Sequence, residues 1–487
     1  MDHYWLDAET SIRYMDEVAK EAVSAARILH YLGESDDLIA SVLCFGAVQA
    51  RCFCIDGLVK DSVVDENILS VFHEMEVFQS CRSEKQAVQL IERGYVSHVS
   101  VKKVTSLQEA IEGILSANFV MVFEKCGCAF VFDVKGFLSR SIEEPESESV
   151  IKGSKDGLSE PIRINTAIMR RHIRSHDFII KQIELGTAAK TTVALLYMKN
   201  IAAPHTVVAV RKRLENSEVS SLVSLGQVEK AISSRHYSLI PSVMHTERAD
   251  KLAANILNGK IAVLTDGYPV GFIVPANLAM FMQAPEDYTA SPVYASFVRL
   301  IRYICLAVNL FLPALYIAVA NFSCEILPAK LAQSIMQAKF GMPFSTFTEV
   351  VLMLIAFEIL IESGLRLPNG VGQAVSIVSG LIVGDAAVSA KLASPAVVML
   401  TAIAGIASFV LPYQSLANAL RVIRFALVIA AAAGGLFALA VGTVIMIFYF
   451  NEIENFSLPF LTPFSTGGAR SWLQDTLIRR LRGAKKN

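Results

Sequence analysis

Residues 303–322 read Tyr303-Ile304-Cys305-Leu306-Ala307-Val308-Asn309-Leu310-Phe311-Leu312-Pro313-Ala314-Leu315-Tyr316-Ile317-Ala318-Val319-Ala320-Asn321-Phe322, without a single charge. A helix rises about 1.5 Å per residue, so this run covers about 30 Å, the hydrocarbon thickness of a bilayer. Working outward, 392–420, with its apolar centre at 396–411, and 425–450 are also uncharged, and each of the three runs predicts a membrane span. The chain of 487 residues is 53% hydrophobic and only 18% charged, where soluble domains carry about 25% charged residues. The deficit is concentrated after position 297, and residues 1–297 have an ordinary soluble composition. The expected fold is a soluble α/β half followed by an all-α polytopic membrane domain.

The stretches between the three spans are less regular. Residues 326–340 carry Pro328, Lys330 and Lys339 and suit an interfacial helix. Residues 344–364 are apolar but include Glu349, Glu358 and Glu362; residues 367–384 are uncharged and rich in glycine, and end at Asp385. A carboxylate at membrane depth is costly and marks a bundle interior, a water cavity or an ion path. Glu358 has apolar neighbours on both sides, whereas Glu362 also fits the interface. Gln373, Ser376 and Gly380 share one face of a helix. Glu358, Gln373, Ser376 and Asp385 are therefore the candidate pore-lining residues, since rings of carboxylates favour cations. The alternative for Glu358 is a hydrogen bond inside one subunit's bundle.

The soluble half reads as a duplication. Ser106-Leu107-Gln108-Glu109-Ala110-Ile111-Glu112-Gly113-Ile114-Leu115 followed by Phe119-Val120-Met121-Val122-Phe123 returns, about 142 positions on, as Arg248-Ala249-Asp250-Lys251-Leu252-Ala253-Ala254-Asn255-Ile256-Leu257 followed by Ile261-Ala262-Val263-Leu264-Thr265. Each copy predicts an amphipathic helix, a tight turn and a strand, with a second strand at 129–132 or 271–274. A hairpin and a helix precede each copy, near 41–55 and after Asp61, and near 178–198 and after Pro204. Two similar α/β subdomains follow, about 34–140 and 175–280. The acidic stretch Glu143-Glu144-Pro145-Glu146-Ser147-Glu148 between them reads as a solvated linker. After it, Asn165 is placed to cap a basic helix ending Arg170-Arg171-His172, whose face suits anionic headgroups, an acidic neighbouring subunit or plain solvent. The domain boundaries are 1–145, 146–297, 298–455 and a basic tail at 456–487.

No nucleotide-binding glycine loop, HExxH or GxSxG motif is present, and His245 beside Glu247 and Asp250 is a weak signal. The chain is expected to be no enzyme and to need no cofactor or metal. Its net charge of −1 gives no field for nucleic acid. The pairs Cys52/Cys54 and Cys126/Cys128 lack the usual zinc spacing and read as buried reduced thiols. Met1-Asp2-His3-Tyr4-Trp5 lacks the features of a signal peptide. Arg299 and Arg302 before the first span, and Arg470, Arg479, Arg480, Arg482, Lys485 and Lys486 in the tail, put both ends on the cytoplasmic side by the positive-inside rule. An even number of crossings follows, four with interfacial or re-entrant pieces, or six.

Several motifs carry a family resemblance. Val150-Ile151-Lys152-Gly153-Ser154-Lys155-Asp156-Gly157-Leu158-Ser159-Glu160, with Asn165 and Arg170-Arg171, resembles the GerA-family pattern V-x-G-x-x-x-G-F-x-E … N-x-x-L-I-R-R. Thr246-Glu247-Arg248, Pro285-Glu286-Asp287-Tyr288, Leu312-Pro313-Ala314-Leu315-Tyr316 and Pro368-Asn369-Gly370-Val371-Gly372-Gln373-Ala374-Val375-Ser376 continue it in order from about 150 to 465. The chain thus resembles a spore germination receptor A subunit, or its SpoVAF-type relative. The resemblance implies a multi-pass protein of the spore inner membrane that works with B and C subunits, the B subunit sensing the nutrient. It also implies a homo-oligomeric ring forming a nutrient-triggered cation channel. Asp385 departs from the glutamine expected there. A non-conducting scaffold docking other germination proteins is the alternative. A secondary transporter ranks third, because no repeat is evident within 299–450.

Overall fold

The computed structural model describes residues 21–96, 99–136, 148, 154–217, 219, 221–222, 224–233, 238–366, 380, 382–456, 458–465 and 476–479. The chain divides into two compact units, Met1–His236 with Val243–Pro275, and Tyr237–Ser242 with Ala276–Asn487.

The first unit is built on two five-stranded antiparallel sheets. Strands β1 (Leu38–Phe45), β2 (Val48–Ile55), β3 (Val101–Val104), β4 (Phe119–Phe123) and β5 (Cys128–Phe132) lie in the order β1-β2-β4-β5-β3. Strands β6 (Phe178–Leu185), β7 (Thr191–Met198), β8 (Met244–Thr246), β9 (Ile261–Thr265) and β10 (Gly271–Val274) lie in the order β6-β7-β9-β10-β8, the same arrangement. Helix α1 (Ala25–Leu32) precedes β1, α2 (Leu107–Leu115) precedes β4, α3 (Ile162–His172) precedes β6 and α4 (Ala249–Leu257) precedes β9. Side chains alternate across a strand, and β4 is buried at all five positions because both of its faces are covered. Phe119, Met121 and Phe123 enter one core with Phe45, Phe72 and Phe78. Val120 and Val122 enter the other with Ile28, Ile111 and Ile114.

Helix α3 joins the two repeats. Its basic residues are held by acids of the same unit. The Arg170 guanidinium donates to both oxygens of Asp37 at 2.7 and 2.9 Å. Arg163 meets Asp56 and Asp61 at 2.8 and 2.9 Å, and Arg171 and His172 face Asp156. Arg170 is thereby buried, while Arg163 and Arg171 stay partly exposed. Asn165 is not the cap, since Pro161 holds that position. Its buried amide instead bridges the backbone N–H and C=O of Ser159. Cys52 and Cys128 are buried and Cys54 and Cys126 half-buried, all four as free thiols. Burial pushes the thiols up, Cys52 to about 12 and Cys54 to about 11, away from the reactive thiolate. The linker residues 143–147 lie outside the described residues.

The second unit is helical: α5 (Pro292–Phe322), α6 (Ala329–Lys339), α7 (Thr346–Arg366), α8 (Pro395–Phe409) and α9 (Gln414–Glu452). Ser291-Pro292 and Ser394-Pro395 open α5 and α8, each serine hydroxyl accepting a backbone N–H of the first turn and each proline sitting where no donor is needed. Among the described residues two helices, α5 and α9, are long and apolar enough to cross a membrane.

Two expected spans come out differently. The 392–420 run is not one helix: α8 stops at Phe409 and α9 starts at Gln414. Pro412 lies between them, lacking an N–H and biasing Leu411 away from helical geometry. The 425–450 run lies inside α9, which doubles back at Gly434 and Gly435, whose backbones leave helical geometry. A Cβ placed on Gly442 would stand 3.6 Å from the Ala430 Cβ, although twelve residues of straight helix span about 18 Å. The ends of α9 also meet: Tyr413 touches Phe281 at 5.5 Å between ring centres, Phe281 touches Phe460 at 6.0 Å, and Phe460 touches Phe450 at 6.2 Å. Thus α9 is a helical hairpin with arms 414–433 and 436–452. Gly435 has φ +60, and a side chain there would lie 2.8 Å from the Phe322 ring at the end of α5. Only glycine fits both demands.

The bundle is inverted relative to a soluble core. Large apolar side chains such as Phe297, Ile304, Ile359, Ile406, Ile429, Phe437 and Phe448 face outward. Ala314, Ala318, Thr401, Ala404, Ser408, Ala417 and Ala431 face inward. Only 39% of the apolar window of α5 and 28% of that of α9 is buried, where a soluble core helix would be mostly buried. Small residues inside and large apolar residues outside are the pattern of helices packed in lipid.

Candidate functional site: a charged centre inside the bundle

Four helices bring one polar side chain or more to a common point. Helix α7 supplies Glu358, the first arm of α9 supplies Arg421 and Arg424, α5 supplies Asn309 and α8 supplies Ser408. Arg421 and Arg424 are three apart, so both project from one helix face. The Arg424 Nη2 donates to Glu358 Oε1 at 2.6 Å, and its Nη1 donates to Asn309 Oδ1 at 2.9 Å. Arg421 reaches Glu358 Oε2 at 3.6 Å and the Ser408 hydroxyl at 3.3 Å. Arg424 is 2% exposed, Arg421 11% and Glu358 27%. One carboxylate therefore faces two guanidinium groups, leaving one surplus positive charge. In lipid such a cluster is tolerated because both guanidinium groups share the Glu358 carboxylate; an isolated ionised group there costs about 2.5–3.5 kcal/mol or more.

A second centre of the same kind lies where α5 begins. Arg299 Nε and Arg302 Nη1 both donate to Asp287 Oδ2, at 3.0 and 2.7 Å. The Ala284 N–H also donates to that oxygen at 3.1 Å, and Arg302 reaches the Met282 carbonyl at 3.1 Å. These arginines are thus interior to the helical unit rather than free charges ahead of a span. Arg479 donates to the carbonyls of Tyr288 and Ala290 close by, and Tyr303 packs on Phe464 at 5.9 Å, so the chain enters and leaves the bundle at one end.

At the other end of α5, Asn321 accepts from the Thr346 hydroxyl at 2.8 Å, which fixes the start of α7 there. Glu349 is 1% exposed and accepts the Ser394 N–H at 2.9 Å. Its negative charge sits at the N-terminus of α8, where helix dipoles favour an anion.

Of the four residues singled out from sequence, Glu358 stands in the charged centre. Asp385 is exposed on a helical stretch at 382–389 and has no ion-pair partner among the described residues. Gln373 and Ser376 lie outside the described residues. Sequence reasoning missed Asn309, Ser408, Arg421 and Arg424. The two arginines fall between the runs 392–420 and 425–450, which were bounded so as to exclude them. The local signal was there: Arg299-Leu300-Ile301-Arg302 recurs as Arg421-Val422-Ile423-Arg424.

Residues 26–487 match the family model described as Bacillus/Clostridium GerA spore germination protein. The chain is 33% identical over 425 residues to the uncharacterized membrane protein YfkQ of Bacillus subtilis (strain 168), covering 87% of this chain and 82% of that one. It is 31% identical over 451 residues to spore germination protein B1 of the same strain, covering 92% of each. The crystal structure of the N-terminal domain of the A subunit of the Bacillus megaterium spore germinant receptor GerK3 aligns with 52% of this chain and 92% of its own, at 23% identity and a TM-score of 0.41.

Proposed function

Because the chain belongs to the Bacillus/Clostridium GerA spore germination protein family, we propose that it is an A-type subunit of a spore germination receptor, embedded in the spore inner membrane through its helical unit. Assembled as a ring with itself, and with B and C subunits beside it, it conducts cations when a nutrient signal arrives. The proposed topology places the N-terminal half and the tail in the cytoplasm, in keeping with the shared entry and exit end of the bundle.

The observation that supports conduction is the centre joining Glu358 to Arg424, Arg421, Asn309 and Ser408. In the arrangement described, the Glu358 carboxylate is neutralised and the centre carries one surplus positive charge. Such a point repels cations, so this arrangement is the closed one. Opening releases Glu358 from the arginines and turns it toward the ring axis, with Gln373, Ser376 and Asp385 on the same path. A carboxylate on that path attracts cations.

The test is ion flux from liposomes containing the wild-type protein, Glu358→Gln or Asp385→Asn. Glu358→Gln keeps the side chain's shape and removes its charge. It leaves two uncompensated guanidinium groups at the centre, so the nutrient-free assembly should stay closed, and in the presence of nutrient both cation flux and cation selectivity should fall. Asp385→Asn should reduce selectivity alone. A wild-type assembly with B and C subunits that passes no ions under any nutrient overturns the conducting reading and returns the scaffold.

A further inference from the structure

The two repeats of the first unit differ in one connection. In the first repeat the helix Glu84–Glu92 passes to β3 through residues 93–100, and that connection stays within its own unit. In the second repeat the helix Leu225–Ile232 passes to β8 through residues 233–243, three residues more. Here the chain leaves the α/β unit. Tyr237–Ser242 belongs to the helical unit, while the residues on both sides, up to His236 and from Val243, belong to the first. A short piece of the second repeat is thus held by the bundle and tied back at both of its ends.

Its residues 238–242 form a stiff turn. The Ser238 hydroxyl donates to the Ile240 carbonyl at 2.9 Å and accepts the Ile240 N–H at 3.3 Å. A serine that closes a turn on the backbone beside it, followed by Pro241 with its fixed φ, leaves few conformations open. Ile240 is 1% exposed and Ser242 5%, so the turn is embedded. Between them and Ser238, the Leu239 N–H donates to the Tyr449 hydroxyl at 3.1 Å.

Tyr449 stands on the second arm of α9, next to Phe450, which packs on Phe460 at 6.2 Å. That arm turns back at Gly434-Gly435 into the arm bearing Arg421 and Arg424, and the reversal is braced against Phe322. From Ser238 to the charged centre the path therefore runs through one turn, one hydrogen bond and two helix arms. Energetic coupling between distant places is carried by contiguous rigid pieces of this kind.

We propose that the 238–242 turn is the drive link of the gate. It carries movement of the α/β unit to the second arm of α9 and, through the Gly434-Gly435 reversal, to Arg421 and Arg424. Its covalent ends hold it to one unit, and Tyr449 and the burial of Ile240 hold it to the other. A link must be short and stiff, since slack absorbs movement, and the Ser238 turn with Pro241 supplies the stiffness. The first repeat has the matching helix and strand without the added residues, and its connection remains in the α/β unit, so the link belongs to the second repeat alone. This proposal rests on the gated conduction in the proposed function and names the element that drives it.

The experiment measures nutrient-triggered ion flux from liposomes holding the full chain with B and C subunits. Tyr449→Phe removes the acceptor and keeps the ring. Leu239 is 39% exposed, so its N–H turns to water, and assembly mass and melting temperature should stay at wild-type values. Triggered flux should fall about fivefold or more, the lower end of coupling between sites. In a second variant Gly-Gly is inserted at the 236/237 and 242/243 junctions, which slackens the tether and leaves Tyr449 untouched. It should lose flux to the same extent, and joining it to Tyr449→Phe should lose little more, because both break one step. The same glycines placed between Ala188 and Ala189, in the exposed stretch between β6 and β7, should leave flux unchanged. Wild-type flux from both Tyr449→Phe and the slackened chain overturns the link and leaves gated conduction standing. No flux from the wild type overturns both.

Discussion

Arg299-Leu300-Ile301-Arg302 and Arg421-Val422-Ile423-Arg424 are the same device in two places, an arginine pair on one helix face holding one carboxylate, and they differ in how tightly it is held. At the start of α5, Arg299, Arg302 and Asp287 are 0%, 8% and 3% exposed, and a backbone N–H and a carbonyl complete the cluster. In the bundle interior, Glu358 is 27% exposed, meets Arg424 through one oxygen and reaches Arg421 only at 3.6 Å. A closed cluster fastens a helix. A cluster whose carboxylate is accessible on one side has somewhere to go, which a switch requires.

The largest effect should come from the closed centre. Asp287→Ala leaves two arginines buried without a counter-charge, and breaking a buried pair from one side costs about 3–5 kcal/mol. A thermal melt in detergent should show a large drop, or little folded protein. Glu358→Ala should cost less, about 1.5–3 kcal/mol, the range for hydrogen bonds to charged groups, because Arg424 keeps Asn309 and Arg421 keeps Ser408 as partners. If Glu358→Ala destabilises as much as Asp287→Ala, access does not distinguish the two centres.

The sequence carried part of this design and hid the rest for physical reasons. The repeats were legible because a helix, a turn and a strand each leave a local pattern, and the patterns at 107–123 and 249–265 align. The apolar runs were legible by length. Hydropathy averages over a window, however, so it did not register Pro412 or the reversal at Gly434-Gly435, where polarity does not change. The charged centre joins positions 309, 358, 408, 421 and 424, too far apart for any local pattern. Nothing in the composition of α3 points to Asp37, the partner of Arg170, which lies 133 residues away.

The hairpin of α9 sharpens the comparison, because its first arm carries Arg421 and Arg424. Gly435→Ala places a methyl against Phe322 in a backbone region that only glycine adopts easily, at a cost of about 1–3 kcal/mol. Phe322→Ala in the same chain should recover the clash and not the backbone strain. A double-mutant cycle on melting temperature separates the two. If Gly435→Ala is silent, the reversal is not held where the geometry puts it.

A third way of burying a cation lies in the α/β unit, and it has the smallest expected effect. Lys260 donates to the Pro275 carbonyl at 2.9 Å and has no carboxylate partner among the described residues; burial pushes it down from 10.5 to about 8. The arginines cannot lose their protons and so require an acid, whereas a lysine can give up its charge. The folded chain then binds fewer protons than the unfolded chain between about pH 8 and 10.5, so stability rises with pH across that window. Below about 8 both states are protonated and the penalty is fully present. Lys260→Met, similar in length and uncharged, should raise the melting temperature at pH 7 and flatten its rise between pH 8 and 10.5 relative to the wild type. An equal rise in both proteins would mean that Lys260 keeps its charge in the fold, as the arginines do.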